Sequence, residues 1–135
     1  MKPLTICVHN NPKCEKKLRR WYRQYNRRYF GGRLPEEMSL VEVCGSQIPR
    51  HDLGVFSRGG GWRHDLDKRG RKKKGSRIEI PGPAIFLRTD NRYECDVRLT
   101  LLHEMVHATG VYNHGPRFRK IVHRLMRAGA FDELI

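Results

Sequence analysis

A chain of 135 residues, 38% of them hydrophobic and including two Trp, five Tyr and five Phe, suits one domain with a modest core over residues 1–135 and is no disordered tail. Its 28 Lys and Arg outnumber 14 Asp and Glu, and a charge of +14 points either to a polyanionic partner or to solubility alone. No apolar run approaches the roughly 20 residues of a membrane span, and residues 1–8 are too short and interrupted for a signal peptide, so a cytoplasmic chain without membrane contact is expected.

The four cysteines, Cys7, Cys14, Cys44 and Cys95, form no C-x-x-C pair and are expected as reduced thiols. Cys7, His9 and Cys14 lie close together but match no zinc spacing, and read as small residues near a strand end. Residues 13–30 read as a helix. At 100° per residue Leu18, Trp21, Tyr22, Tyr25 and Tyr29 share one face, and Lys16, Arg20, Arg23 and Arg27 share the opposite one. Gly31-Gly32 ends it and Pro35 forbids continuation. Residues 38–44 alternate enough for a strand, and a second is expected over 53–57.

Residues 58–77 contain Gly59-Gly60-Gly61, then Arg71-Lys72-Lys73-Lys74, and almost nothing aliphatic. They form a long flexible loop or an extended hairpin tip. Trp62 there either stacks on an unpaired base, beside Arg63, Arg71, Lys72, Lys73 and Lys74 on phosphates, or folds back on the domain. The run 68–74 could also serve as a nuclear import signal or be merely solvated. Short strands are expected over 78–80 and 84–87, interrupted by Pro81 and Pro83. Residues 96–109 form a helix stopped at Gly110, and Pro116 opens a last helix reaching 128, with Gly129 beyond. Phe118, Ile121, Val122, Leu125 and Met126 make its buried stripe. Lys120, His123, Arg124 and Arg127 lie opposite. The class is therefore α+β: an N-terminal helix, a small mostly antiparallel sheet, then two helices.

Basic residues are segregated. Residues 13–33 carry nine against one acidic, 58–77 nine against two, and 115–128 five against none. These segments are expected to combine into one phosphate-binding surface, with DNA favoured as partner.

His103-Glu104-Met105-Val106-His107 is H-E-x-x-H on a predicted helix. A spacing of four puts both imidazoles on one face, where they can grip one zinc ion, with Glu104 beside them as general base. Leu101, Leu102, Met105 and Val106 cover the other side. A catalytic zinc needs a third protein ligand and an open position. In the pattern H-E-x-x-H-x-x-G-x-x-H, Gly110 is in place but position 113 is Asn, and the histidine arrives one residue late as His114. Asp132 and Glu133 are the acidic alternatives, and His114, just before Gly115-Pro116, is better placed. Tyr112 is a candidate donor to a developing oxyanion. His9, His51 and His64 have no spacing partner.

H-E-x-x-H followed by His114-Gly115-Pro116-Arg117-Phe118 resembles the SprT-like (Spartan-type) metalloprotease domain, whose members carry H-E-x-x-H and then H-G-x-x-F. Tyr25-Asn26-Arg27-Arg28-Tyr29-Phe30-Gly31-Gly32-Arg33-Leu34-Pro35 is similar to the end of that family's first helix, so the likeness spans about 18 to 128. It implies a minimal zincin-like fold, Zn2+ on His103, His107 and His114, and peptide hydrolysis assisted by Glu104. Some relatives are activated by DNA and digest proteins crosslinked to it, which implies a protein substrate of that kind for a monomeric enzyme. Two features depart from the family: only six residues separate His107 from His114, and no Cys-x-x-Cys ribbon follows. Any DNA contact must then come from this domain. A non-catalytic nucleic-acid-binding module with structural zinc, and a zinc hydrolase with a non-protein substrate, are the alternatives.

Overall fold

The computed structural model describes residues 3–4, 12–43, 53–66, 69, 71–89, 92–132 and 134. In chain order the elements are β1 (Pro3–Leu4), α1 (Pro12–Tyr29), β2 (Ser39–Val43), β3 (Gly54–Ser57), β4 (Gly61–Leu66), β5 (Lys72–Ile80), β6 (Ala84–Arg88), β7 (Arg92–Tyr93), α2 (Glu94–Ala108) and α3 (Pro116–Arg127). The α+β class and the order of its layers are those expected. Strands β2, β6 and β3 form the central sheet, with β2 parallel and β3 antiparallel to β6. Two antiparallel pairs, β1 with β7 and β4 with β5, complete the pairing among the described residues.

The period of α1 dictates its burial. Leu18, Trp21, Tyr22 and Tyr25 are buried, Tyr29 is half-buried, and Lys16, Arg20, Arg23 and Arg27 are exposed. Removing each of those large side chains from water contributes about 1.5–3 kcal/mol. Their polar tips are satisfied: Tyr22 Oη donates to the Pro35 carbonyl at 2.5 Å, and burial pushes this phenol up to about 12. Asn26 closes the following turn by bonding Leu34 through both its amide nitrogen (2.9 Å) and its oxygen (3.1 Å). Lys17 pairs with Glu94, and Arg98 Nε donates to Tyr25 Oη at 2.5 Å, which joins α1 to α2.

Alternation splits the central sheet into two faces. Leu40, Ile85 and Leu87 join the helices in the main core, while Val41, Val43 and Ala84 form a second cluster with Ile80 of β5. The β4–β5 pair therefore rests on the face remote from the helices. Residues 61–66 and 72–80 are thus the paired strands of a hairpin, and the strand expected at 78–80 starts six residues earlier. The sequence conceals it because Lys72, Lys73, Lys74 and Gly75 show no apolar alternation, and antiparallel pairing needs only backbone groups. Met126, expected in the buried stripe of α3, is 52% exposed, whereas Phe118 and Leu125 are buried. It falls at the edge of the apolar arc, and Ile121 and Val122 are half-buried.

Strand β3 lies close against α2. A Cβ on Gly54 would stand 2.7 Å from Thr100 Cγ2 and 3.1 Å from the Phe86 carbonyl oxygen, so only glycine permits this approach. The contact sets the width of the cleft between sheet edge and helix. Cys7, His9, Cys44 and His51 lie outside the described residues, as do the side chains of Cys14 and His64.

Candidate metal centre

Helix α2 is tied down around its first turns by Arg92. Its Nη1 donates to the Arg88 carbonyl at 2.8 Å, and its Nη2 to the Asp96 carbonyl at 2.9 Å and Thr100 Oγ1 at 2.7 Å. Val97, Leu101, Leu102, Met105 and Val106 are buried along the back of α2. His103 and His107, one turn apart, are thereby held toward the cleft. Gly110, at φ +103, lets the chain leave the helix sharply and return toward it. The Asn113 Oδ1 then accepts the Gly115 N–H at 3.0 Å, which shapes the turn that presents His114. Asn113 occupies the position where the longer histidine pattern would place its ligand, and here it supports the neighbouring one.

Three imidazole nitrogens converge. Nε2 of His107 stands 3.2 Å from that of His103 and 3.1 Å from that of His114, and the remaining pair is 3.1 Å apart. Nitrogens held 2.0–2.1 Å from a shared tetrahedral ion would be about 3.3 Å from one another, so these separations fit one metal ion. Among the described residues, His103, His107 and His114 are the group of His, Cys, Asp and Glu so placed. Asp132 is exposed and not among them, and Glu133 lies outside the described residues.

His107 Nδ1 lies 2.7 Å from the Val111 carbonyl, which accepts its proton and leaves the Nε2 lone pair facing the other rings. Burial first, and then the His107 and His114 rings, push His103 down from 6.5 to about 4, so it is uncharged at neutral pH. Three imidazole donors suit Zn2+ and other borderline divalent ions, and not Ca2+ or Mg2+.

Phe118 is the platform beneath the site. Its ring centroid is 5.0 Å from His103, 4.9 Å from His107 and 4.8 Å from His114, and the residue is buried. Truncation to Ala is expected to lower stability by about 3–5 kcal/mol and to weaken metal binding, because all three rings lose their shared contact. Denaturant melts with and without zinc check both effects, and unchanged zinc affinity would remove Phe118 from the site.

Glu104 is buried and lines the same cleft, a space of about 700 Å³ bounded by the three histidines, Leu99 and Thr100 of α2, and β3. Tyr112 closes one side. Its ring is 57% exposed and stacks nearly parallel on Phe56, with centroids 6.4 Å apart. Among the described residues no Lys or Arg lines the cleft.

The basic residues gather elsewhere. Lys16, Arg20, Arg23 and Arg27 line a groove of about 950 Å³ on α1, together with Arg19 and Arg28. Lys120, Arg124, Arg127 and His123 are exposed on α3. The 13–33 and 115–128 segments meet at a cavity shared by Arg33, Arg117 and Arg124, whereas the hairpin sits across the sheet from both. On that hairpin Trp62 is 57% exposed, with the Arg77 guanidinium 5.2 Å from its ring. It has not folded back into the domain. Arg71 and Lys74 are exposed, while the side chains of Arg63, Lys72 and Lys73 lie outside the described residues.

Sequence reasoning singled out His103, Glu104, His107 and His114, and missed Phe118 as a ring platform, the Val111 carbonyl, Asn113 and Arg92. The H-G-x-x-F string marks Phe118, but a lone Arg or a backbone carbonyl leaves no sequence signal. Among the described residues no helix is long and apolar enough to cross a membrane. Compared with known proteins, the chain matches no family model, no curated protein and no solved structure.

Proposed function

We propose that this chain is a zinc-dependent endopeptidase of the SprT-like kind, acting on proteins bound or crosslinked to DNA. The observation that carries the proposal is the buried carboxylate of Glu104 in the same cleft as three converging imidazole nitrogens. Zn2+ held by His103, His107 and His114 would supply Lewis acidity, lowering the pKa of water toward 7 and polarising a carbonyl. Glu104 takes the proton of the attacking water and passes it to the leaving amine. Tyr112, which lines the cleft, is the candidate donor to the developing oxyanion.

The lining supports a peptide as substrate. A chain with a charge of +14 whose described cleft residues include no Lys or Arg is poorly equipped to hold a phosphodiester there. Among the described residues strand β3 is the edge of the central sheet and borders the cleft, and an extended peptide can pair with such an edge. Nucleic acid would instead lie on the basic groove of α1. Duplex affinity should then fall with log salt at a slope of about −0.9 per phosphate neutralised. Arg20→Glu, Arg23→Glu and Arg27→Glu together should weaken binding to all sequences alike and flatten that slope, as read by fluorescence anisotropy at two salt concentrations. Flat titrations of the unaltered chain would leave the charge as a matter of solubility.

The deciding experiment is proteolysis of an unfolded protein and of a DNA-crosslinked protein, with zinc and with a chelator. No cleavage of either in zinc would favour the non-catalytic module with structural zinc.

A further inference from the structure

A second cavity, of about 480 Å³, opens between the end of α1, the turn joining α2 to α3, and α3 itself. Its floor is apolar: Leu34 and Val111 are buried, and Ile121 is half-buried. Arg33, Arg117 and Arg124 stand on its rim, all exposed, and among the described residues no acidic one lines it. Among the described residues none of these three guanidinium groups has an ion-pair partner. A smaller cavity of about 330 Å³ continues along α3, sharing Arg117, Ile121 and Arg124 and adding Lys120 and Arg127. From Arg117 to Arg127 the helix rises about 15 Å, the length of about five extended residues.

We propose that this groove docks an acidic, aliphatic stretch of polypeptide belonging to the protein that is cleaved, an inference that rests on the peptidase reading above. Unpaired guanidinium groups around an apolar floor match carboxylates flanking an aliphatic side chain, and Arg grips a carboxylate through two parallel hydrogen bonds. A nucleic-acid strand fits less well because unpaired bases need open aromatic faces. Phe30 is only 5% exposed, and Tyr29 packs against Tyr25 with ring centroids 6.0 Å apart. The position is also informative. Ala108, Thr109 and Val111 line this cavity, while His107 and Tyr112 line the cleft, so one short segment separates the two. An acidic patch docked here would deliver a neighbouring extended segment to the metal centre and set substrate preference away from the scissile bond.

The test is binding of a fluorescein-labelled ten-residue peptide of alternating Glu and Leu, read by anisotropy on the Glu104→Gln protein so that cleavage plays no part. The triple change Arg33→Ala, Arg117→Ala and Arg124→Ala should lower affinity at least about tenfold, the loss expected when charge-assisted hydrogen bonds are removed. Removing equal charge elsewhere, with Arg20→Ala, Arg23→Ala and Arg27→Ala, should change it less than about twofold, because those exposed side chains line the other groove. Replacing Glu by Gln, or Leu by Ser, in the peptide should each weaken binding. The proposal is overturned by no binding, by equal losses in the two triple variants, or by indifference to Leu. Tighter binding of an oligothymidylate that depends on the same three arginines also overturns it, and makes nucleic acid the occupant. Since the readout needs no turnover, an inactive wild-type protein that still binds the peptide would sink the peptidase reading and not the docking site.

Discussion

Glu104→Gln is expected to keep the fold and the metal while lowering peptide hydrolysis by about a hundredfold to ten-thousandfold, the usual contribution of a positioned general base. Gln has nearly the shape of Glu, so the buried site loses little packing, and the three histidine ligands are untouched. What disappears is the ability to accept a proton at neutral pH. Glu104→Asp tests the geometry separately: it keeps the basicity but withdraws the carboxylate by one methylene, and should fall between the two. The measurement is initial rate on an unfolded protein substrate, with zinc content determined on the same samples. A Glu104→Gln protein that is fully loaded and as active as the wild type would exclude Glu104 as the base. One that is inactive but also metal-free would mean that the carboxylate supports the site and that its role in proton transfer is unproven by the variant.

The parts of this molecule legible in its sequence are those governed by strong periodicity. The aromatic stripe of α1 and the apolar back of α2 follow from 3.6-residue repetition of large side chains, and burial enforces it. The i, i+4 spacing of His103 and His107 is a helical property and needs no tertiary information. His114 is a different matter. It reaches the pair through a positive φ at Gly110 and the Asn113 side chain, and the one-residue offset from the longer histidine pattern is set by that turn. The hairpin is hidden because its strands are rich in Lys, Arg and Gly, and among the described residues it is Ile80 that reports its packing on the second face of the sheet. Met126 shows the converse error. Its hydrophobicity and spacing place it in the buried arc, but the arc is too narrow to include it. The Phe56–Tyr112 stack joins residues far apart in the chain, so no local pattern marks it.

Loss of any one of the three histidines should cost more metal affinity than any other single change, and the consequences should differ among them. Apparent binding free energies of structural zinc sites are about 10–16 kcal/mol over four ligands, so one ligand is worth roughly 3 kcal/mol, or about two orders of magnitude in affinity. His107→Ala should be the most damaging. His107 is buried, and its removal also leaves the Val111 carbonyl without its partner, so the apo fold should be destabilised as well. His114→Ala removes an exposed ring from a turn whose shape Asn113 maintains, and should weaken metal binding while leaving the apo fold nearly unchanged. Thermal melts separate these effects. Zinc at a thousandfold excess over its dissociation constant stabilises the wild type by about 4 kcal/mol, which for a chain of this size means a rise of about 10 °C or more. That rise should shrink to about a third in all three variants at the same free zinc, because a hundredfold weaker site sees only about a tenfold excess, while the melting temperature without zinc should drop for His107→Ala and hold for His114→Ala. Full zinc content in His114→Ala would remove that residue from the ligand set. An undiminished rise in His107→Ala would mean that the ion binds somewhere other than this tripod, and the peptidase reading would lose its centre.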